Sequence, residues 1–483
     1  MLPRRNREDM TPGPAREAYV TPPRSSRLWL AARLVLLAAL AWFYVAGASA
    51  HAERVNWFKA RGDQSWFLSV AQTVYHNWHG DAPAKMLRRN IMPLYPAYLA
   101  LFYDPGISDP DYFIIAKRWN IRLSLALLVA LGALFARYLP PLPATNLVLV
   151  VAFGYFVFKA GYAQPELLYY FLHFLTFLAF CHLLHERRAG RSLALGVVAG
   201  VLAALTHLTK AAVVPLLLIL LCAYATGELL RLREARRPGA EALRRNALRA
   251  TGWRAAAAVV LVVSFLVPLY PYISTSKRVF GSYFYNANTT FYIWHDSWGE
   301  ATAIRDAGVE SRWPDKPASE LPSLARYWKT HTAAQIANRF AEGFQDMVVR
   351  SYRTYWYYPF FILYLSYALA LIAANRKAFV VLLREHASVA MFMGLYAVVY
   401  LLAAAFYNPV SATGTTRYII CHLTPLFFVI AYLAAREPFR RTVWRMDSLT
   451  LTPLHADLAI SAALALSITF VLWPRLMTTY GGF

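Results

Sequence analysis

Long apolar stretches fill most of the chain, and short segments rich in Arg and Lys punctuate them. The apolar runs lie near 28–49, 113–137, 145–161, 164–185, 191–209, 211–227, 255–273, 355–374, 389–407, 417–435 and 457–474. A helix that crosses a hydrocarbon core needs about 20 apolar residues, so the pattern predicts an all-α polytopic membrane protein with about eleven transmembrane helices.

The short connections fix an orientation. Arg24 and Arg27 precede the first run, Arg187, Arg188 and Arg191 link the fourth and fifth, and Arg231 to Arg249 link the sixth and seventh. Arg376, Lys377 and Arg384 follow the eighth run, and Arg436, Arg440, Arg441 and Arg445 follow the tenth. Every second connection is basic, which puts the N-terminus inside and the C-terminus outside. Residues 1–27 then form a polar, disordered cytoplasmic leader, 28–474 the membrane domain and 475–483 an outer tail. Two long segments, about 50–112 and 274–354, fall on the same outer face.

Both outer segments carry amphipathic stretches. Trp66, Phe67, Val70, Val74 and Trp78 recur at helical spacing, as do Leu324, Trp328, Ile336, Phe340, Phe344 and Val348. The pattern predicts interfacial helices lying on the membrane surface. Among Arg88, Arg89, Pro93, Leu94, Tyr95 and Pro96, the two prolines predict a fold-back with no regular helix.

Composition agrees with lipid. Of 483 residues 58% are hydrophobic and only 16% charged, where a soluble domain carries about 25% charged. A net charge of +23 on a soluble chain would indicate nucleic acid, but here the basic residues mark cytoplasmic loops and no nucleic-acid motif accompanies them. Cys181, Cys222 and Cys421 fall in apolar runs without metal or disulfide spacing, and read as small buried residues. The wealth of Ala, Arg and Leu fits a bacterial chain, which places it in the inner membrane. No internal repeat marks a transporter.

Candidate chemistry gathers at the outer boundary. Asp63, at the start of an amphipathic helix, fits either an N-cap or a general base toward an acceptor hydroxyl. Arg88 and Arg89 fit either lipid snorkelling or a specific anion site. Lys210 lies between two apolar runs and Arg417 at the mouth of another, fitting interfacial anchors or anion partners. Glu166 complements a helix dipole, orients an acceptor, or holds a divalent ion together with His207. Tyr285, Asn286, Asn288, Trp294, His295 and Asp296 mix amides with flat rings, which suits a sugar and equally an aromatic belt.

Gly62-Asp63 followed by Arg89-Asn90-Ile91-Met92-Pro93-Leu94-Tyr95-Pro96 resembles the GT-C superfamily of membrane glycosyltransferases, which includes protein O-mannosyltransferase and aminoarabinose transferase relatives. The resemblance extends to Gln164-Pro165-Glu166, Thr206 to Lys210, Gly281 to Asn286, and Thr416-Arg417-Tyr418. It implies a GT-C-like fold and transfer of a sugar from a polyprenyl-phosphate donor to a glycan, lipid or protein acceptor, with inversion and on the periplasmic face. It also implies that Asp63 is the base, that Lys210, Arg417, Arg88 and Arg89 hold the donor phosphate, and that Glu166, His207, Tyr285, Asn286, Asn288, Trp294, Asp296 and Tyr418 contact substrates. Many relatives carry two adjacent acids where this chain has Asp63-Gln64, so a divalent metal stays open. A lipid flippase or other transporter would need charges at mid-membrane depth, and an O-antigen polymerase or ligase would rest on arginines and a histidine of one loop.

Overall fold

The computed structural model describes residues 27–80, 91–235, 241–306, 322–354, 356–411, 416–447 and 449–477. The chain divides into a short unit, 1–46, and a large one, 47–483. Within the first, the described residues form the N-terminal part of helix α1 (Arg27–Arg54), where Val35, Leu36, Leu37 and Trp42 are exposed. Apolar side chains face outward along the other long helices too, the signature of a lipid-facing surface.

The large unit carries the rest. Helices α2 (Asp63–His79) and α3 (Leu94–Ala100) lie between α1 and α4 (Asp109–Tyr138). Next come α5 (Pro141–Val151), a π turn at Ala152–Phe156, and α6 (Val157–Ala160), which together make one span. Helices α7 (Glu166–His185), α8 (Ala189–Thr209), α9 (Val214–Ala235) and α10 (Glu241–Phe280) run back and forth. The second long segment holds α11 (Trp298–Asp306), α12 (Leu324–Thr330) and α13 (Ala333–Thr354). The chain closes with α14 (Tyr358–Ala374), α15 (Arg376–Glu385), α16 (Ala387–Tyr407), α17 (Thr416–Ala434), α18 (Pro453–Leu466) and α19 (Trp473–Leu476). Strands β1 (Trp444–Met446) and β2 (Leu449–Leu451) pair antiparallel, with Arg445 opposite Thr450.

Among the described residues ten helices are long and apolar enough to cross a membrane. An eleventh span is supplied if α14 and α15, bent by 97° at their junction, count as one. The all-α polytopic membrane architecture expected from the hydropathy pattern is therefore present. Helix α15 has no buried residue.

Close packing comes from small side chains. A Cβ added at Gly196 or Gly200 would run into the backbone carbonyls of Ala257 and Leu261, so these glycines let α8 and α10 approach backbone to backbone. Short turns then stack one end of the helices together. The end of α1, the starts of α2, α7 and α17 and the end of α8 share that end. Both long segments meet there, because Met92 Sδ accepts from Tyr272 Oη at 3.4 Å and from Asn286 Nδ2 at 3.6 Å.

Two local expectations change. Pro93 and Pro96 do not prevent a helix: α3 begins at Leu94 with Pro93 as its cap. Proline in a first turn forfeits no intrahelical bond, because the first N–H groups have no partner there. Helix α2 is present, yet Val70 and Val74 are buried against Tyr95, Leu99 and Tyr112. Only part of its stripe, including Trp66 and Trp78, is exposed. The stripe from Leu324 to Val348 is split into α12 and α13 by a break at His331–Thr332.

Candidate functional site

Asp63 opens α2 after Gly62, whose φ of +57° lies in the left-handed region that glycine tolerates. The cap position is Gly62, and Asp63 is the first residue inside the helix. Arg417 Nη1, from the first turn of α17, donates to Asp63 Oδ2 at 2.5 Å. The nearby guanidinium holds the Asp63 carboxyl below its usual range, against the opposing effect of burial, and Lys210 adds to the lowering. The capping interpretation of Asp63 therefore fails, and the reason is a partner 354 positions away.

Glu166, at the first turn of α7, is buried, with 2% of its side chain exposed. Lys210 Nζ donates to its Oε1 at 3.4 Å, and Arg417 Nη1 stands 3.7 Å from the same oxygen. The other oxygen, Oε2, has no hydrogen-bond partner, and neither does Arg417 Nε. Lys210 lies over the ring of Tyr418 at 4.1 Å, and Arg417 Nη2 donates to the Tyr418 hydroxyl at 3.4 Å. Tyr170 Oη donates to the Arg417 carbonyl at 2.7 Å, which ties α17 to α7.

A third cation supports the group. Lys159 is 1% exposed, donates to Gln164 Oε1 at 3.0 Å and lies within electrostatic reach of Glu166. Asn120 holds the turn between α6 and α7 by donating to the carbonyls of Ala160 at 3.0 Å and Tyr162 at 2.7 Å. Gln64 Oε1 accepts from the Ala163 N–H at 3.0 Å. Gln64, next to Asp63, is thus a strut that locks Asp63's helix to the turn that precedes Glu166.

Three cations (Lys159, Lys210, Arg417) against two carboxylates (Asp63, Glu166) leave one positive charge in a confined space. Such a site favours an anion. It does not suit a divalent cation, whose two nearest carboxylates already face Arg417 and Lys210. His207, the other expected ligand beside Glu166, packs its ring edge-on against Phe265 at 6.0 Å and Phe284 at 5.9 Å.

An apolar groove of about 440 Å³ is lined by other residues of the same region. Trp78, Leu94, Tyr98, Leu168, Leu172 and Leu205 line it. Leu168 follows Glu166 by two positions and Leu205 precedes Lys210 by five, so groove and charged site share α7 and α8.

The structure brings together Asp63, Glu166, Lys210, Arg417 and Tyr418 from the expected set. Arg88 and Arg89 lie outside the described residues. Asn286 is buried and caps a turn through Asn288 N and Thr289 N, while Tyr285 stacks on Phe280 at 4.2 Å. Asp296 belongs to a different cluster. It accepts from Tyr327 Oη at 2.8 Å and Arg339 Nη1 at 3.2 Å, and His331 Nε2 lies 2.8 Å away. Trp294 packs on Tyr327 at 6.1 Å in that same cluster, which Arg339 ties to the Phe406 carbonyl at 3.0 Å.

Lys159 was missed. A lysine inside an apolar run is a signal available in the sequence; it and the buried Lys117 show that the spans are not free of internal charge.

The fold and this charge cluster define a multi-pass, all-α membrane protein with an anion-suited site at one end of its helices. No family model matches the chain, and no curated protein or solved structure matches it either.

Proposed function

We propose that the protein is an integral-membrane glycosyltransferase, transferring a sugar from a polyprenyl-phosphate donor to an acceptor hydroxyl on the periplasmic face. The observation that carries this reading is the meeting of Asp63, Glu166, Lys210 and Arg417 from four distant segments. An apolar groove walled by the same helices, α7 and α8, fits a lipid-borne donor that enters from the bilayer. The basic short connections at the opposite end support placing this end outside the bacterial inner membrane.

In the chemistry, the acceptor oxygen forms a bond to the anomeric carbon as its proton passes to the Asp63 carboxylate. The bond from that carbon to the phosphate oxygen breaks, and its electron pair stays on the phosphate. The leaving phosphate gains a negative charge, which Arg417 and Lys210 stabilise. Attack and departure on opposite faces invert the anomeric centre. Paired with Arg417, Asp63 is a weak base. A donor phosphate that draws Arg417 away makes the carboxylate more basic at the moment it is needed. Glu166 holds the two cations against one of its oxygens.

The test is transfer by purified protein in proteoliposomes loaded with polyprenyl-phosphate sugars. Asp63→Asn is expected to lower the rate by about 10²–10⁴-fold, the contribution of a general base. Transfer by folded Asp63→Asn at the parental rate contradicts the assignment.

A further inference from the structure

Below the charged site, the same helices carry a second group of polar side chains that the proposed reaction does not use. His173 lies two turns further along α7 than Glu166. Cys421 and His422 lie little more than a turn past Arg417 on α17. One ligand-capable atom from each of the three stands within 4.8 Å of the others. Neighbouring α16 adds Tyr396, whose hydroxyl sits 3.0 Å from His173 Nε2 and 2.6 Å from His422 Nδ1.

The phenol has one proton for two imidazoles. It donates to one ring, and the other ring donates to it. If His422 receives the proton, His173 Nε2 carries a hydrogen and His173 Nδ1 is a bare lone pair. If His173 receives it, Nδ1 carries a hydrogen that needs an acceptor. Nδ1 is buried and has no hydrogen-bond partner, and the whole His173 side chain is 0% exposed. In the first arrangement an unused His173 lone pair and a thiol converge inside the helices, and His422 becomes the second nitrogen ligand when it exchanges the Tyr396 hydroxyl for the ion.

We infer that His173, Cys421 and His422 form a binding site for one thiophilic metal ion, monovalent copper. Two imidazoles and a thiolate suit soft or borderline late transition ions. Charge selects among them. A Cys421 thiolate cancels the charge of Cu⁺, and the imidazoles stay neutral, so the bound site carries no net charge at membrane depth. Zn²⁺ on the same ligands leaves one uncompensated positive charge, which is costly there. Ligand atoms held at about 2.0–2.3 Å from an ion stand roughly 3.5 Å apart, so the triad closes by about 1 Å on binding. The Cys421 thiol, which now points to the Tyr418 carbonyl at 2.8 Å, loses its proton to solvent as the ion enters. The three ligands stand on two helices, α7 and α17, and sugar transfer is not the site's readout.

The experiment uses the full chain in nanodiscs, kept anaerobic with ascorbate and titrated with Cu⁺ against a chelating indicator. One equivalent per chain should be retained, and copper-edge X-ray absorption should show one sulfur and two nitrogen neighbours. Cys421→Ser should lose that equivalent, while Cys222→Ser, on the exposed cysteine, should keep it. Tyr396→Phe breaks the hydroxyl bridge without removing a ligand, and should also keep it. The inference is overturned if the parent chain retains no Cu⁺, if the bound copper has no sulfur neighbour, if Zn²⁺ displaces Cu⁺ at equal concentration, or if Tyr396→Phe abolishes retention.

Discussion

Two clusters of buried charge sit at opposite ends of the same helices and use the same ingredients. At one end Arg254 is in ion-pair contact with Glu228 through Nε, and its remaining nitrogens donate to the carbonyls of Glu186 at 2.7 Å and Leu184 at 3.3 Å. Glu228 Oε1 also accepts from Arg231 at 2.7 Å, and Oε2 accepts from Thr251 at 2.9 Å. Both carboxylate oxygens are occupied. At the other end Glu166 faces Lys210 and Arg417 at 3.4 and 3.7 Å, and one of its oxygens has no partner. The first cluster is a closed knot that pins α9 and α10 to the end of α7. The second holds Lys210 and Arg417 at longer range from Glu166, and Arg417 Nε is a donor without a hydrogen-bond partner. Saturation of the carboxylate separates the two, since Arg254 Nε, like Arg417 Nε, has no hydrogen-bond partner.

The comparison breaks most readily at the closed knot. Arg254→Ala leaves Glu228 buried without its main partner, and should destabilise the protein by about 3–5 kcal/mol. Thermal unfolding in detergent measures this, and a melting temperature equal to the parent's would place the knot's value near zero. Glu166→Gln should cost less, about 1–3 kcal/mol, because Lys210 and Arg417 keep 16% and 15% of their side chains open to solvent. It should slow transfer more than it weakens donor binding, since the added positive charge attracts phosphate while the cations lose their spacer. Kinetics that separate kcat from KM distinguish these effects.

The smallest effect belongs to the Asp296 cluster. Burial, the largest single influence, lowers the pKa of His331, but the bond and charge of Asp296 and the Tyr327 carbonyl together raise it above the ordinary value. A raised folded-state value means that the stabilisation is complete below about pH 6.5, the unfolded value, and is lost as pH climbs through the folded one. A modest fall in melting temperature is expected from pH 6 to 8, and His331→Gln should flatten that slope. An unchanged slope in His331→Gln would remove the pair from the account.

Much of this was legible in the sequence. Hydropathy located the spans, because a lipid-crossing helix needs a run of fixed length whatever its neighbours. Asp63, Glu166, Lys210 and Arg417 stood out as charges at the edges of such runs. What spacing along the chain does not record is which run ends meet. Asp63 looked like an N-cap because its partner is on the tenth run, and Asp296 looked like a site residue although Tyr327, Arg339 and His331 already engage it. Cys421 is buried as its apolar run suggests, and the nearness of His173, from another helix, is what spacing does not record. Lys159 was readable and overlooked, one lysine in a run otherwise apolar.

The central claim is that Arg417 is shared between Asp63 and an incoming phosphate. It is tested most directly by the affinity of a short-chain polyprenyl phosphate for the parent and for Asp63→Asn in the same nanodiscs. Removing the carboxylate's charge frees Arg417, so the variant should bind the phosphate several-fold more tightly (about 1 kcal/mol, the scale of an exposed ion pair) even though it no longer transfers sugar. Weaker binding by Asp63→Asn, or no binding by the parent, would contradict the account.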